Sequence, residues 1–170
     1  MVIIVEDTNI LIDLFKTGLI RYSHLMDFEF HTTVYVVGEI KNHEQRSFII
    51  GYINNGLLKM DNFTGDDYVL LSEEIRNCYG KNNLSPADCS VMLLAERFNS
   101  RLLTADQKLK REAESRGLSV NGFLWLTDQM VEQGIVTPME MAEFLERYKK
   151  SNYRAPEPET SDRINKYRGG

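Results

Sequence analysis

Four acidic residues, Asp7, Glu39, Asp88 and Asp106, lie far apart along the chain, yet the pattern around each places them at one edge of one sheet. Converging carboxylates offer hard oxygen ligands, the donor set that holds a divalent cation. Asp7 closes the clearest strand signal, the unbroken run Val2-Ile3-Ile4-Val5 followed by Glu6-Asp7-Thr8-Asn9. Such a run reads as a strand buried on both faces, the usual state of a central parallel strand. A second strand-like segment, Arg101 to Ala105, delivers Asp106 just before a helical stretch from Gln107 to Arg116 that Gly117 can terminate. Ligands of open α/β sheets bind at the carboxyl ends of the strands, where both aspartates fall.

Glu39 and Asp88 sit on helical text instead. Ser85-Pro86-Ala87-Asp88 spells a helix start, with Ser as N-cap, Pro at the first position and an acid where a capping box expects one. Thr137-Pro138-Met139-Glu140 has the same form, and there Glu140 is read as a cap only. The face distinguishes Asp88, because Val91, Met92 and Ala95 follow it at helical spacing and form a stripe that should face the sheet. A carboxylate on that stripe is costly to bury without a cation or hydrogen bonds. Glu39 adjoins Val36 and Ile40 in the same way. Taken singly, each of the two reads equally well as a cap or an edge charge.

The elements that must position these groups alternate. Helices are predicted over Thr8 to Phe15, from about Tyr35, over Phe48 to Ile53, Asp66 to Cys78, Thr127 to Gln133 and Pro138 to Lys150, and strands over Phe28 to Thr32, Leu57 to Met60 and Leu118 to Val120. Tyr79 to Asn83 reads as a polar loop. This alternation predicts an α/β fold, a parallel sheet covered by helices, without internal repeats.

Composition bounds the reading. At 170 residues, 42% hydrophobic and 26% charged, the chain fits one soluble globular domain with a core of ordinary size. No apolar run approaches the roughly 20 residues that span a bilayer, and the first runs straight into two acids, unlike a signal peptide. Cytosol is the simplest compartment. Cys78 and Cys89 have neither a CxxC spacing nor a disulfide framework, and Cys89 reads as a small half-buried helical hydrophobe. His24, His31 and His43 lack zinc-like spacing and read as structural or exposed.

Residues 147–170 hold seven basic and three acidic side chains, whereas the remaining 146 hold thirteen and twenty-two, a net −9. An acidic body repels a phosphate backbone unless cations intervene. Residues 1–150 read as the domain. Residues 151–170, with two prolines and few apolar groups, read as a disordered basic tail, or alternatively as an arm that touches RNA or a partner.

Four blocks carry a family likeness: IIVEDTNILIDLF, TTVYVVGEIKN, LSPADCSVMLLAERFNSRLLTADQKLK and GLSVNGFLWLTDQMVEQGIVTP. Through them the chain resembles a PIN domain, the nuclease fold of many prokaryotic toxins of toxin-antitoxin pairs. The resemblance implies that Asp7, Glu39, Asp88 and Asp106 share a site for Mg²⁺ or Mn²⁺, supported by Thr8 or Asn9 and by Thr104. It further implies an endoribonuclease, often a homodimer, held inactive by an antitoxin segment in the acidic cleft. Where some members carry a further acid, this chain has Lys108, Lys110 and Arg111, which suit phosphate contact or plain solubility. Four acids suffice for one firmly held cation.

A hard cation beside a phosphodiester neutralises developing charge and promotes deprotonation of an attacking water, so the expected reaction is metal-dependent hydrolysis of RNA without a side-chain nucleophile. Two other classes stay open. One is a silent PIN-like domain that binds RNA or protein without cutting. The other is a phosphoacceptor domain, for which Asp61 is the available middle-strand aspartate, although it leaves the helical acids unexplained. A haloacid-dehalogenase-type site wants D-x-D after strand one, and the text here is E-D-T-N. For a dimer surface the candidates are Ile10, Leu11 and Leu14 or the run Phe48-Ile49-Ile50, which core packing explains equally well.

Overall fold

The computed structural model describes residues 2–81 and 83–169. Five strands, β1 (Val2–Glu6), β2 (Phe28–Thr33), β3 (Lys59–Asp61), β4 (Arg101–Leu103) and β5 (Val120–Asn121), form one sheet in the order β3-β2-β1-β4-β5. Every pairing is parallel. The apolar run Ile4-Val5 is fully buried at the centre of this sheet, as a central strand requires. The α/β reading therefore holds, with helices flanking a wholly parallel sheet.

Ten helices connect and cover the strands among the described residues: α1 (Thr8–Thr17), α2 (Ile20–Ser23), α3 (Val34–Glu39), α4 (His43–Asn54), α5 (Asp66–Lys81), α6 (Pro86–Phe98), α7 (Gln107–Ser115), α8 (Phe123–Glu132), α9 (Pro138–Ser151) and α10 (Glu159–Tyr167). The central packing helix is α6, which contacts β1, β2 and β4. Its stripe of Val91, Met92 and Ala95 is fully buried. Asn99 ends the helix in the left-handed conformation at φ 46°, which Asn adopts more readily than most residues. Gly18 does the same for α1, at φ 84°, with its N–H donated to Phe15. None of the described helices is long and apolar enough to cross a membrane.

Several boundaries differ from the sequence reading, for local reasons. Helix α4 starts at His43, five residues before the apolar run, because the Asn42 side chain accepts from Gln45 N–H at 3.0 Å and caps it. Helix α5 runs to Lys81 through most of the predicted loop; of that loop, residue 82 lies outside the described residues. Helix α8 begins at Phe123, four residues early, and the four-residue α2 escapes periodicity altogether. The proposed dimer residues Ile10, Leu11, Leu14 and Ile49 are buried in the core, so they are not free surface. Phe48 is half-buried, and only Ile50 of that group is exposed.

The largest correction concerns the tail. It is ordered, because residues 159–167 form α10 against α9. Thr160, Ile164 and Tyr167, spaced by four and then three, bury one face, the i, i+4, i+7 pattern of a helix. Polar contacts finish the attachment. Arg163 grips Asp128 of α8 through Nε and Nη2 at 2.8–3.0 Å, and the Tyr167 hydroxyl donates to the same carboxylate at 2.6 Å. Lys149 pairs with Glu157 at 2.7 Å and Arg168 with Glu146 at 3.2 Å. The basic residues that made the tail look like a free arm are thus partly committed to the fold.

Asp128→Ala leaves Arg163 and Tyr167 without their shared acceptor. It is expected to cost about 1.5–3 kcal/mol, read as a lower melting temperature with faster amide exchange across residues 159–167. Unchanged exchange there would mean that α10 is held by its apolar face alone.

Candidate metal centre

Each of the four acids lies at a helix terminus, Asp7 and Asp106 where a helix follows a strand, Asp88 in the first turn of α6 and Glu39 at the end of α3. Asp7 directly follows β1, and its N–H donates to the Leu103 carbonyl of β4 at 3.0 Å. Thr104, just beyond β4, donates its N–H to Asn121 of β5 at 3.0 Å. The carboxyl ends of the three strands are thereby locked in register before any side chain is considered.

Asp7 is 2% exposed. Its Oδ1 caps α1 by accepting Thr8 N–H at 2.7 Å, and its Oδ2 accepts the Thr104 hydroxyl at 2.8 Å. Thr104 Oγ1 in turn accepts the Asp106 N–H at 3.0 Å, so one threonine ties the two strand-end aspartates together. Asp106 caps α7, its Oδ1 receiving Lys108 N–H at 2.7 Å and Leu109 N–H at 2.9 Å. Asp88 completes a capping box with Ser85: its Oδ2 accepts Ser85 N–H at 2.7 Å while its own N–H reaches Ser85 Oγ at 3.1 Å. Glu39, at the exposed end of α3, accepts the Thr8 hydroxyl on Oε2 at 3.2 Å. Asn9 is exposed, and of the two it is Thr8 whose hydroxyl reaches Glu39.

The charges meet. Burial, followed by the negative charge of Asp88, pushes the Asp7 carboxyl up to about 7, against the hydrogen bonds from Thr104 and Thr8, and Glu39 adds to the rise. Asp88 is also raised, chiefly by burial, with Asp106 and Glu39 contributing and the Ser85 bonds opposing. Asp7 thus feels Asp88 and Glu39, and Asp88 feels Glu39 and Asp106, so Asp88 links acids that β1, α3, α6 and β4 bring from distant parts of the chain. Asp88 Oδ1 and Asp106 Oδ2 accept no hydrogen bond among the described residues. Among those residues no three His, Cys, Asp or Glu side chains already stand at ligating geometry. The donor set nonetheless suits a hard divalent cation, which would favour the ionised form of a carboxyl that burial and its neighbours hold toward neutrality.

Two buried hydroxyls, not singled out in the sequence, connect the helices that carry Glu39 and Asp88. Thr33 caps α3 by accepting Val36 N–H at 3.2 Å, and its hydroxyl lies 2.7 Å from Ser90 of α6. Ser90 donates to Ala87 O at 2.7 Å, which leaves Thr33 as the donor between the two. Lys108 and Arg111 are exposed near the Asp106 cap, and Lys110 approaches Glu114 at 3.9 Å. Asp61, the phosphoacceptor candidate, is bonded to the buried His31 at 2.6 Å, whose other ring nitrogen meets Glu29 at 2.9 Å. His24 and His43 are exposed, and both cysteines are free and buried.

Glu6 was overlooked and is the most unusual acid. It is 2% exposed, and its Oε1 has no hydrogen-bond partner among the described residues. The signal was available, as a carboxylate directly after a run read as buried on both faces. Burial alone raises it to about 8. Below the ordinary value of 4.5 both folded and unfolded chains carry the proton; between there and about 8 only the unfolded chain ionises, so stability falls as pH rises through that window. Glu6→Gln removes this dependence. Its melting temperature is expected to match wild type near pH 4 and exceed it near pH 8, by on the order of 2–4 kcal/mol in stability. A difference independent of pH would show that Glu6 titrates normally.

A family model, DUF3368, described as a PIN domain, matches residues 3–168. No curated protein matches the chain.

Proposed function

Because this chain belongs to the PIN-domain family, we propose that its four acids hold Mg²⁺ or Mn²⁺ and that it hydrolyses phosphodiester bonds of RNA as an endoribonuclease. The observation that supports this reading is the electrostatic coupling of buried Asp7 to Asp88 and Glu39, and of Asp88 to Glu39 and Asp106, at the carboxyl edge of the sheet. Like-charged carboxylates gathered in this way destabilise one another unless a cation joins them.

When bound, the cation would neutralise charge on the scissile phosphate and acidify a water. The chain supplies the rest. Asp7 is the anchoring ligand, its position set by the Thr8 N–H and the Thr104 hydroxyl. Asp88 and Asp106 each keep one oxygen on a helix cap and present the other, and Glu39 is steered by Thr8. Thr104 is a positioning residue acting on both aspartates. Lys108 and Arg111 are suited to phosphate contact in an otherwise acidic body.

The finer reading is the toxin of a toxin-antitoxin pair, with an antitoxin segment covering the acidic edge. The second reading is a silent PIN-like domain, favoured because no trio of ligands stands preassembled among the described residues.

Cleavage of an end-labelled single-stranded RNA separates these. Wild type should cut in Mn²⁺ or Mg²⁺ and stop in chelator, and Asp7→Asn should be inactive with an unchanged far-ultraviolet circular dichroism spectrum. Cutting by Asp7→Asn would overturn the metal role of Asp7, and RNA binding with no turnover in any metal would favour the silent domain. Thr104→Val keeps every ligand but frees Asp7 and the Asp106 N–H, and is expected to lose about 10–100-fold in rate; full activity would remove Thr104 from the machinery.

A further inference from the structure

A groove of about 530 Å³ opens where the carboxyl end of α1 meets α2, the start of α4 and α9. Its charged lining is Lys16, Arg21 and Arg147 against the single acid Glu44. All three cations are exposed, and none forms an ion pair among the described residues. Elsewhere Lys59, Arg97, Arg116, Lys149, Arg163 and Arg168 each pair with a carboxylate. A net positive groove on a body whose first 146 residues carry −9 is a local reversal of charge.

Aromatic rings interleave with these cations. Arg147 lays its guanidinium over the Phe144 ring at 4.3 Å, and Tyr22 meets the same ring edge-on at 5.7 Å. Half-buried Phe48 packs edge-on against Phe15 at 5.3 Å and stacks on Tyr52 at 5.2 Å. Lys16 acts at longer range on Asp13, one turn earlier on α1, and all three cations stay exposed. Flat guanidinium and aromatic groups beside exposed cations are what a single strand needs, since bases stack on the former and phosphates contact the latter.

The groove and the acidic edge are joined by two short stretches of chain. Helix α1 has Asp7 at one end and the groove at the other, and ten residues of helix span about 15 Å. From Glu39 to Glu44 is five residues, at most about 18 Å of extended chain, and the intervening Lys41 is exposed.

We infer that this groove docks a single-stranded segment of the RNA substrate a few nucleotides from the bond that is cut. The inference rests on the ribonuclease reading and names the surface that offsets the acidity of the cleft.

The test is the affinity of the full chain for a fluorescent single-stranded RNA 12-mer, by anisotropy in chelator across a salt series, beside the cleavage assay in Mn²⁺. Arg21→Gln with Arg147→Gln should weaken binding about tenfold or more and lower the magnitude of the log–log salt slope by about 1.4, two phosphate contacts' worth. Arg21→Lys with Arg147→Lys should restore the slope, and Arg76→Gln, an exposed site on α5, should change neither quantity. The substituted side chains are exposed, so melting temperatures should change only slightly, by no more than the loss of the Arg147–Phe144 contact. Unchanged affinity and slope in the glutamine variant, with wild type still cutting, would overturn the groove, assign it to another occupant such as a protein segment, and leave the nuclease reading standing. A wild type that neither binds nor cuts single-stranded RNA would overturn both.

Discussion

Burying one carboxylate beside others is unfavourable twice over, through lost hydration and through repulsion, and the carboxyl edge of this sheet is organised around that penalty at Asp7. The fold answers with fixed donors. Asp7 keeps a main-chain N–H and a hydroxyl, Asp88 a capping box, and Asp106 two N–H groups at a helix start. Helix N-termini also favour negative charge in their first turn, so three helices point their favourable ends toward the acids. These donors make the acids tolerable in the fold while one oxygen each of Asp88 and Asp106 accepts no hydrogen bond among the described residues.

The same constraint explains the layering beneath the site. Carboxylates held by caps are only as well placed as the helices they cap. Helix α6 packs on β1, β2 and β4 through fully buried residues, and the Thr33–Ser90 bond joins it to α3. Thr104 connects the β4 end to the β1 end. Glu6, one residue from Asp7, carries the burial penalty without compensation. The stability of the strand ends therefore depends on pH through both Glu6 and Asp7.

Much of the fold was legible, and so were the elements on which the candidate acids lie, because both rest on local patterns. The Val2–Val5 run identified the central strand, and a strand's carboxyl end places the acid that follows it, which located Asp7 and, after β4, Asp106. Asp88 was legible as a cap and as the head of a buried stripe, and the structure makes it both. What could not be read depended on distant partners. Helix α10 has three anchoring residues and needs Asp128, thirty-five positions from Arg163, to complete its attachment. The choice of Thr8 over Asn9 depends on where Glu39 ends up, and the Thr33–Ser90 pair spans 57 positions. The groove at the far end of α1 draws its cations from α1, α2 and α9, a cluster that no window of sequence displays.

The central claim is that Asp7, Asp88 and Asp106, with Glu39, bind one divalent cation between them. The most direct measurement is a crystal structure of the protein grown with Mn²⁺, with anomalous difference density recorded for the metal. The account predicts a peak among these carboxylates, with Asp7 in its coordination shell and Thr104 still bonded to Asp7. A structure at high Mn²⁺ with no peak there, with Asp7, Asp88 and Asp106 still on their caps and Glu39 still on Thr8, would contradict it.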